Sequence, residues 1–248
     1  MGSQILMTFN TSNLREDDPT LNPSDFIVKF NPPIRLPGRN FRLAFYSFFG
    51  WRSYHNITGK TIVYGIDGTE YTLSIPDGLY GLNEVNALLQ ADIVSNGGEI
   101  DKLVLTPNFN TNRTEISIDN TSNTYNLDFS ASNNLANFFG FSEINVTSSQ
   151  AGSVIANVNQ DRENLNIECD LIKGNIKNGR FSRIIHSFKP SGPTNSSMEI
   201  FPLHQTWHQI DKTFIDTIDF KVTDNVGRIV SFNGEDLTIS IVLEEINK

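Results

Sequence analysis

One cysteine, Cys169, stands among 248 residues, so no internal disulfide framework can brace this chain. No apolar run approaches the roughly 20 residues that a membrane-spanning helix needs. Basic residues are in deficit: 19 Lys and Arg against 28 Asp and Glu leave a net charge of -9. That balance repels phosphate at long range and argues against binding nucleic acid by charge neutralisation. Met1-Gly2-Ser3-Gln4 leads straight into Ile5-Leu6-Met7 with no basic segment and no small-residue cleavage site, which is not the pattern of a signal peptide. Leu6 stands where a myristoylation signal needs Ser or Thr. Together these absences predict a soluble protein made in a reducing compartment.

Reactive constellations are missing as well. There is no serine elbow, no zinc-hydrolase helix and no paired cysteine motif. Gly59-Lys60-Thr61 has the tail of a phosphate loop, but Tyr54 occupies the place of its first glycine and a strand-like segment follows. His204 and His208 have metal-like spacing in a segment with no helical character and no nearby third ligand, so they read as packing or surface histidines. His55 and His186 are isolated. Cys169 lies in an alternating segment and reads as a small core or surface thiol. Asp216, Asp219, Asp224, Glu235 and Asp236 are candidates to gather round calcium at one end of a β-sandwich, yet no ordered ligand loop is present. No catalytic residue, cofactor or metal is assigned.

What the chain does have is alternation. Ile218, Phe220 and Val222 alternate with polar neighbours, as do Leu237, Ile239, Ile241 and Leu243. This is the period of half-buried strands, and Asp224-Asn225-Val226-Gly227 and Asn233-Gly234 supply turns, so an antiparallel meander is expected at the C-terminal end. Strands are expected at Ile5–Phe9 and Asp25–Phe30 around a polar loop, with turns at Asn31-Pro32-Pro33 and Leu36-Pro37-Gly38. Phe41-Arg42-Leu43-Ala44-Phe45-Tyr46-Ser47-Phe48-Phe49-Gly50-Trp51 is the most apolar segment; it begins by alternating and then stops. One reading buries this strand on both faces. The other sends Phe45, Tyr46, Phe48, Phe49 and Trp51 towards a subunit interface, where large aromatics concentrate.

Asp67-Gly68 between two alternating runs marks a hairpin. Val85, Leu88, Leu89 and Ile93 then repeat at helical spacing and Asn96-Gly97-Gly98 closes the segment. Strands follow at Lys102–Thr106, Arg113–Ile118 and Tyr125–Phe129, and a short helix carries Leu135, Phe138 and Phe139 before Gly140. Strand texture resumes at Leu165–Ile172, Arg180–Phe188 and Met198–Phe201. The expected architecture is therefore all-β: a single jelly-roll β-sandwich from residues 1–75 and 145–248, with a small α+β subdomain inserted at 76–144. Asn is abundant, at 29 residues, and six Asn-x-Ser/Thr sequons occur, about the number chance predicts, so no glycosylation is assigned.

Charge is unevenly spread. No acid occurs between Asp170 and Glu199, while Lys173, Lys177, Arg180, Arg183 and Lys189 cluster there. A solvated strand-and-loop face is one reading, and contact with an acidic neighbouring subunit the other.

The order of several segments resembles the penton (vertex) capsid proteins of virophages and of Polinton-like or adintovirus-like viruses. They run from Ser24-Asp25-Phe26-Ile27-Val28-Lys29-Phe30-Asn31-Pro32-Pro33-Ile34-Arg35-Leu36-Pro37 to the strand at Phe41 and Asn56-Ile57. They continue through Ile75-Pro76-Asp77-Gly78-Leu79-Tyr80, Leu135 and Phe138-Phe139-Gly140-Phe141, to Asp224-Asn225-Val226-Gly227-Arg228-Ile229-Val230-Ser231-Phe232 and Leu237 through Leu243. The resemblance implies a single jelly roll with an insertion, assembled as a homopentamer at the vertices of an icosahedral shell beside a double jelly-roll major capsid protein. It further implies a virion protein synthesised in the host cytoplasm, without family catalytic residues. A long basic tail for gripping a genome is not evident. Two other classes fit a sandwich: a receptor- or carbohydrate-binding fibre head exposing Trp51, Tyr54 and Trp207 on a loop rim, and an enzyme in which His204 and His208 converge with a carboxylate.

Overall fold

The computed structural model describes residues 4–36, 40–130, 132–142, 144–159, 162–177, 179–192, 196–210 and 212–246. The turn expected at Pro37-Gly38 and the sequon at Asn195 lie outside them. The chain starts with β1 (Gln4–Asn10), α1 (Thr11–Asp17), β2 (Asp25–Arg35) and β3 (Phe41–Trp51). Next come β4 (Lys60–Ile66), β5 (Thr69–Ile75), α2 (Leu82–Ser95), β6 (Leu103–Asn108), β7 (Arg113–Ile118), β8 (Tyr125–Asp128), α3 (Ala136–Phe139), β9 (Asn145–Val146) and β10 (Gln150–Ala151). The last third holds β11 (Leu165–Cys169), β12 (Asn175–Lys177), β13 (Arg180–Ser182), β14 (Ile184–Phe188), β15 (Ser197–Ile200), β16 (Trp207–Gln209), β17 (Phe214–Thr223) and β18 (Thr238–Glu245). Contacts divide these into two compact units, Met1–Tyr54 with Asp161–Lys248, and His55–Gln160.

The first unit is a sandwich of two antiparallel sheets. One has the order β1-β18-β3-β15, with β16 also on β3; the other has the order β14-β11-β17-β2. Taking β15 and β16 as one interrupted strand, the sheets read 1-8-3-6 and 5-4-7-2 in chain order, a jelly-roll-like arrangement. Rings fill the space between them: Phe9 lies 5.2 Å from Phe220, Phe45 stacks on His186 at 4.3 Å, and Phe48 meets Phe188 at 5.1 Å. This order corrects the expected terminal meander, because β17 pairs with β2 and β11 while β18 pairs with β1 and β3 in the other sheet. The intervening chain crosses between sheets instead of adding a strand. Its turn is built on the Asp224 carboxylate, which accepts from the backbone N–H groups of Val226 at 3.0 Å and Arg228 at 2.9 Å and from the Arg228 side chain at 2.7 Å.

The second unit packs two sheets, β5-β4-β8-β9 and β10-β7-β6, with α2. Asp67 and Gly68 take positive φ of 49° and 79°, the twist a two-residue hairpin turn requires. Val85, Leu89 and Ile93 face a core that includes Tyr64, Leu103, Leu127 and Phe139. The helix also uses polar side chains inward: Asn86 accepts from Leu105 N at 2.8 Å, Gln90 accepts from Asp101 N at 2.9 Å, and the Gln90 amide donates to Leu103 O. These bonds satisfy backbone groups at β6. Gly140 ends α3 at φ 75°, where a Cβ would come within 2.4 Å of Val154 O.

The expected boundary at Pro76 is displaced. The hairpin β4–β5, placed in the sandwich because it alternates as a strand should, pairs through β4 with β8 and belongs to the second unit. Residues 145–160 also fall in that unit, where β9 and β10 complete its sheets. Alternation reports a half-buried strand; it carries no information about which core the strand covers.

Near-terminal segments of the second unit are tied by one buried side chain. The Asn56 amide donates to Tyr80 O and to Val158 O, both at 2.7 Å, and its carbonyl accepts from Tyr80 N at 2.8 Å. Asn56→Ala should strip all three bonds at a dry position and destabilise the chain by about 2 kcal/mol. Thermal unfolding and amide exchange at Tyr80 measure this; unchanged exchange there would show that the clasp is dispensable.

Candidate assembly surfaces

The aromatic strand β3 divides its rings between core and surface because of a bulge. Its pairing with β18 shifts between Ser240 and Ile241, so Ser47 faces Ser240, Phe45 faces Ile241, and Tyr46 is the extra residue. Phe41, Leu43 and Phe45 point inward before the bulge and Phe48 after it. This explains why the alternation stops midway. Phe45 and Phe48 are committed to the sandwich core, a correction to their expected place at an interface. Tyr46 and Trp51 are exposed at 42% and 47%, and Phe49, partly covered, meets exposed Phe201 edge-on at 5.5 Å. Phe201 and the neighbouring, exposed Leu203 are missing from the sequence-based candidates.

Other rim residues resolve differently. Tyr54 is buried with its ring edge-on to Phe232, and the Arg42 guanidinium covers Trp207 at 4.3 Å while its other side pairs with Glu244. A loop rim built from Trp51, Tyr54 and Trp207 is therefore reduced to Trp51. Hydrogen bonds from Gln4 and Arg42 hold the Glu244 carboxyl below its ordinary range.

The basic cluster brackets a small hairpin in sequence: Lys173 precedes it, Arg183 follows it, and Lys189 comes after the far end of β14. Among the described residues, β12 and β13 pair only with each other, with Ile176 opposite Phe181, and Asn175 ties the hairpin to Ile184 O at 3.0 Å. Lys173, Arg183 and Lys189 are exposed; the side chains of Lys177 and Arg180 lie outside the described residues. Beside Phe181 a cleft of about 450 Å³ runs past Glu168 and Thr223 to the Asn225–Gly227 turn.

The sequence's chemical candidates sit apart. Cys169 is buried, and that burial pushes its thiol up to about 12, far from thiolate reactivity. His208 lies half-buried in β16 and His204 in the exposed segment after Phe201. Among the described residues, no three His, Cys, Asp or Glu side chains gather in a way that holds a metal ion.

Two tests follow from this geometry. Phe48→Asp should abolish folding, since it drives a charge between the sheets and removes ring contacts, a loss above about 3 kcal/mol. Trp51→Asp should leave unfolding within about 1 kcal/mol of wild type. A soluble, cooperatively folded Phe48→Asp protein would refute the placement of that ring. The second test uses pH. Burial lowers the pKa of His186 and of His208 from the ordinary 6.5, with a hydrogen bond to the Ile185 backbone opposing it at His208. The unfolded chain then binds protons more readily than the folded one, so this stability is complete above 6.5 and is lost as pH falls from there through the lowered folded-state value. The thermal midpoint should drop between about pH 7 and 5, and His186→Phe should remove part of that drop. An unchanged pH profile in His186→Phe would assign the drop elsewhere.

No family model matches the sequence, and no curated protein matches it. Solved structures do match. The crystal structure of the mavirus penton protein aligns with a TM-score of 0.53 at 11% identity, covering 98% of this chain and 100% of that one. A chain in the 3.5 Å cryo-EM structure of the Sputnik virophage aligns with a TM-score of 0.46 at 12% identity, over 99% of this chain and 98% of the other. At 11% identity the likeness is one of fold: this chain has the fold of the mavirus penton protein.

Proposed function

We propose that this protein is a structural capsid component forming the pentameric vertex of an icosahedral virus particle. The observation that carries the reading is the end-to-end match in fold with the mavirus penton protein, which leaves neither chain with a large unmatched part. We read the sheet order as one jelly roll interrupted between β3 and β11, and its role as assembly, not catalysis. Five copies bring a charge of -45 from -9 each, so a ring needs apolar burial and paired charges to offset self-repulsion. Exposed Tyr46, Trp51 and Phe201, with partly covered Phe49 between them, supply an aromatic surface of the kind assembly buries. The partners on this reading are further copies of the chain and a double jelly-roll major capsid protein. The protein is made in the host cytoplasm and ends in the virion.

Light scattering on the purified protein should give about five times 27.8 kDa, or that mass once the major capsid protein is present. Trp51→Asp should fold as wild type and enter particles poorly. A stable wild-type trimer, or a monomer that never enters particles, would defeat the vertex reading.

A further inference from the structure

The sheet β1-β18-β3-β15 ends in two edges that differ in build. β1 is the regular one: its seven residues all pair with β18 without a shift of register, and none of them is charged or is Pro. A strand at the edge of a sheet is ordinarily guarded by charge, Pro or a bulge, because an unguarded one accepts another chain. The edges of the opposite sheet have such guards. β2 carries Asp25, Lys29, Pro32, Pro33 and Arg35, and β14 pairs with β11 through a shift of register after Ile167. Among the described residues β1 has no strand on its outer side, and Leu6 and Ile5 are 56% and 41% exposed.

The far edge of the same sheet is interrupted. β15 ends at Ile200 and β16 begins at Trp207, and the segment between them exposes Phe201 at 58% and Leu203 at 91%. No Lys, Arg, Asp or Glu occurs from Phe201 to Gln209, as none occurs from Gln4 to Asn10. The two edges are also level with each other. Ile200, Phe48, Ile239 and Phe9 form one row across the sheet and Trp207, Ala44, Val242 and Leu6 another, so the exposed segment falls between the same two rows that bound Leu6 to Phe9. Three antiparallel pairings separate β1 from β15, so these strands run in opposite directions. A second copy turned about an axis along the strands therefore brings its β15–β16 edge antiparallel to β1 of the first, as in the rest of the sheet.

We propose that the segment from Phe201 to Thr206 of one copy docks against β1 of the next, setting Phe201 and Leu203 on Leu6 and Ile5. Chains of net charge -9 repel each other, and this contact joins them where neither brings a charge. Phe201 meets Phe49 edge-on at 5.5 Å, so the docking segment continues the aromatic surface already assigned to assembly. Each copy gives one edge and receives the other, which is the head-to-tail contact that a closed ring requires. The proposal rests on the ring reading above and names the two sides by which neighbours meet.

Cross-linking tests it, in whichever preparation forms the ring. Leu6→Cys and Phe201→Cys place thiols at exposed positions, while the native Cys169 is buried. A short bismaleimide, whose span tolerates a small shift of register, should convert the double variant into a covalent ladder ending at five chains. Each single variant should give no cross-link, and the two single variants co-expressed should give dimers only. Sedimentation supplies a second readout. Leu6→Lys should weaken ring formation about tenfold, and the similarly exposed Ile27→Lys on β2 should leave it unchanged. Added salt should not weaken the wild-type ring, as it would a contact made of paired charges. Dimers from Leu6→Cys alone would mean that two β1 edges pair with each other and would overturn the contact. A double variant that sediments as a ring yet gives no ladder, or a ring that Leu6→Lys leaves at full strength, would overturn it too while leaving the pentamer standing. A wild-type protein that forms no ring, alone or with the major capsid protein, would remove the vertex reading itself.

Discussion

The sandwich depends on what β3 presses against the opposite sheet. Phe45 on His186 and Phe48 on Phe188 join a central strand of one sheet to the edge strand of the other, and Phe9 on Phe220 does the same at the far side. Sheets pack about 10 Å apart only when side chains of this size interdigitate, and each buried ring contributes roughly 2–3 kcal/mol from area alone. Because β3 is flanked by β18 on one edge and by β15 and β16 on the other, its inward rings have no alternative partner. The bulge at Tyr46 then decides everything outside the core. It turns the strand so that Tyr46, Phe49 and Trp51 face away from the facing sheet, which converts one apolar run into two surfaces with different uses.

That division was half legible in the sequence. A change of texture within Phe41–Trp51 is visible, yet a bulge has no sequence signature there, so which rings go inward was not. Local signals carried the second unit well: Asp67-Gly68 fixed a hairpin, helical spacing from Val85 to Ile93 fixed α2, and Gly140 ended α3 with a left-handed residue. Non-local pairing was opaque. β17 and β18 look like successive strands of one meander, but they lie in different sheets because their partners, β2 and β1, come from the other end of the chain. The helix α1 was invisible for another reason. Its seven residues bury only Thr11, and it is held by the Asn10 side chain accepting from Ser12 N at 2.8 Å, so no apolar period exists to detect.

Electrostatics in this chain is local pairing on an acidic background. Arg42 with Glu244, Arg15 with Asp236, Lys102 with Asp119 and Lys212 with Asp170 join strands or loops at partly exposed sites, where each pair adds at most about 1 kcal/mol. Such pairs consume cations. With 19 Lys and Arg against 28 acids, pairing every cation would still leave an excess of 9 acids on the chain. No acid lies within the stretch from Lys173 to Lys189, so its charge is met by acids from elsewhere in the fold, as Arg183 is by Asp219.

The two units answer to different demands. Among the described residues the sandwich presents edges, since β1, β2 and β14 end their sheets with no further strand beside them. Protected edges in a monomer carry charges or bulges; edges meant for assembly carry apolar groups. β2 carries outward Ile27 beside Asp17 and Asp18, and the hairpin before β14 exposes Ile176 and Phe181. The inserted unit instead turns its polar side chains inward to satisfy its own backbone, as Asn86, Gln90 and Asn56 do. A unit that closes its own hydrogen bonds around its own core tolerates change at its exposed turns, because the groups that hold it together lie inside.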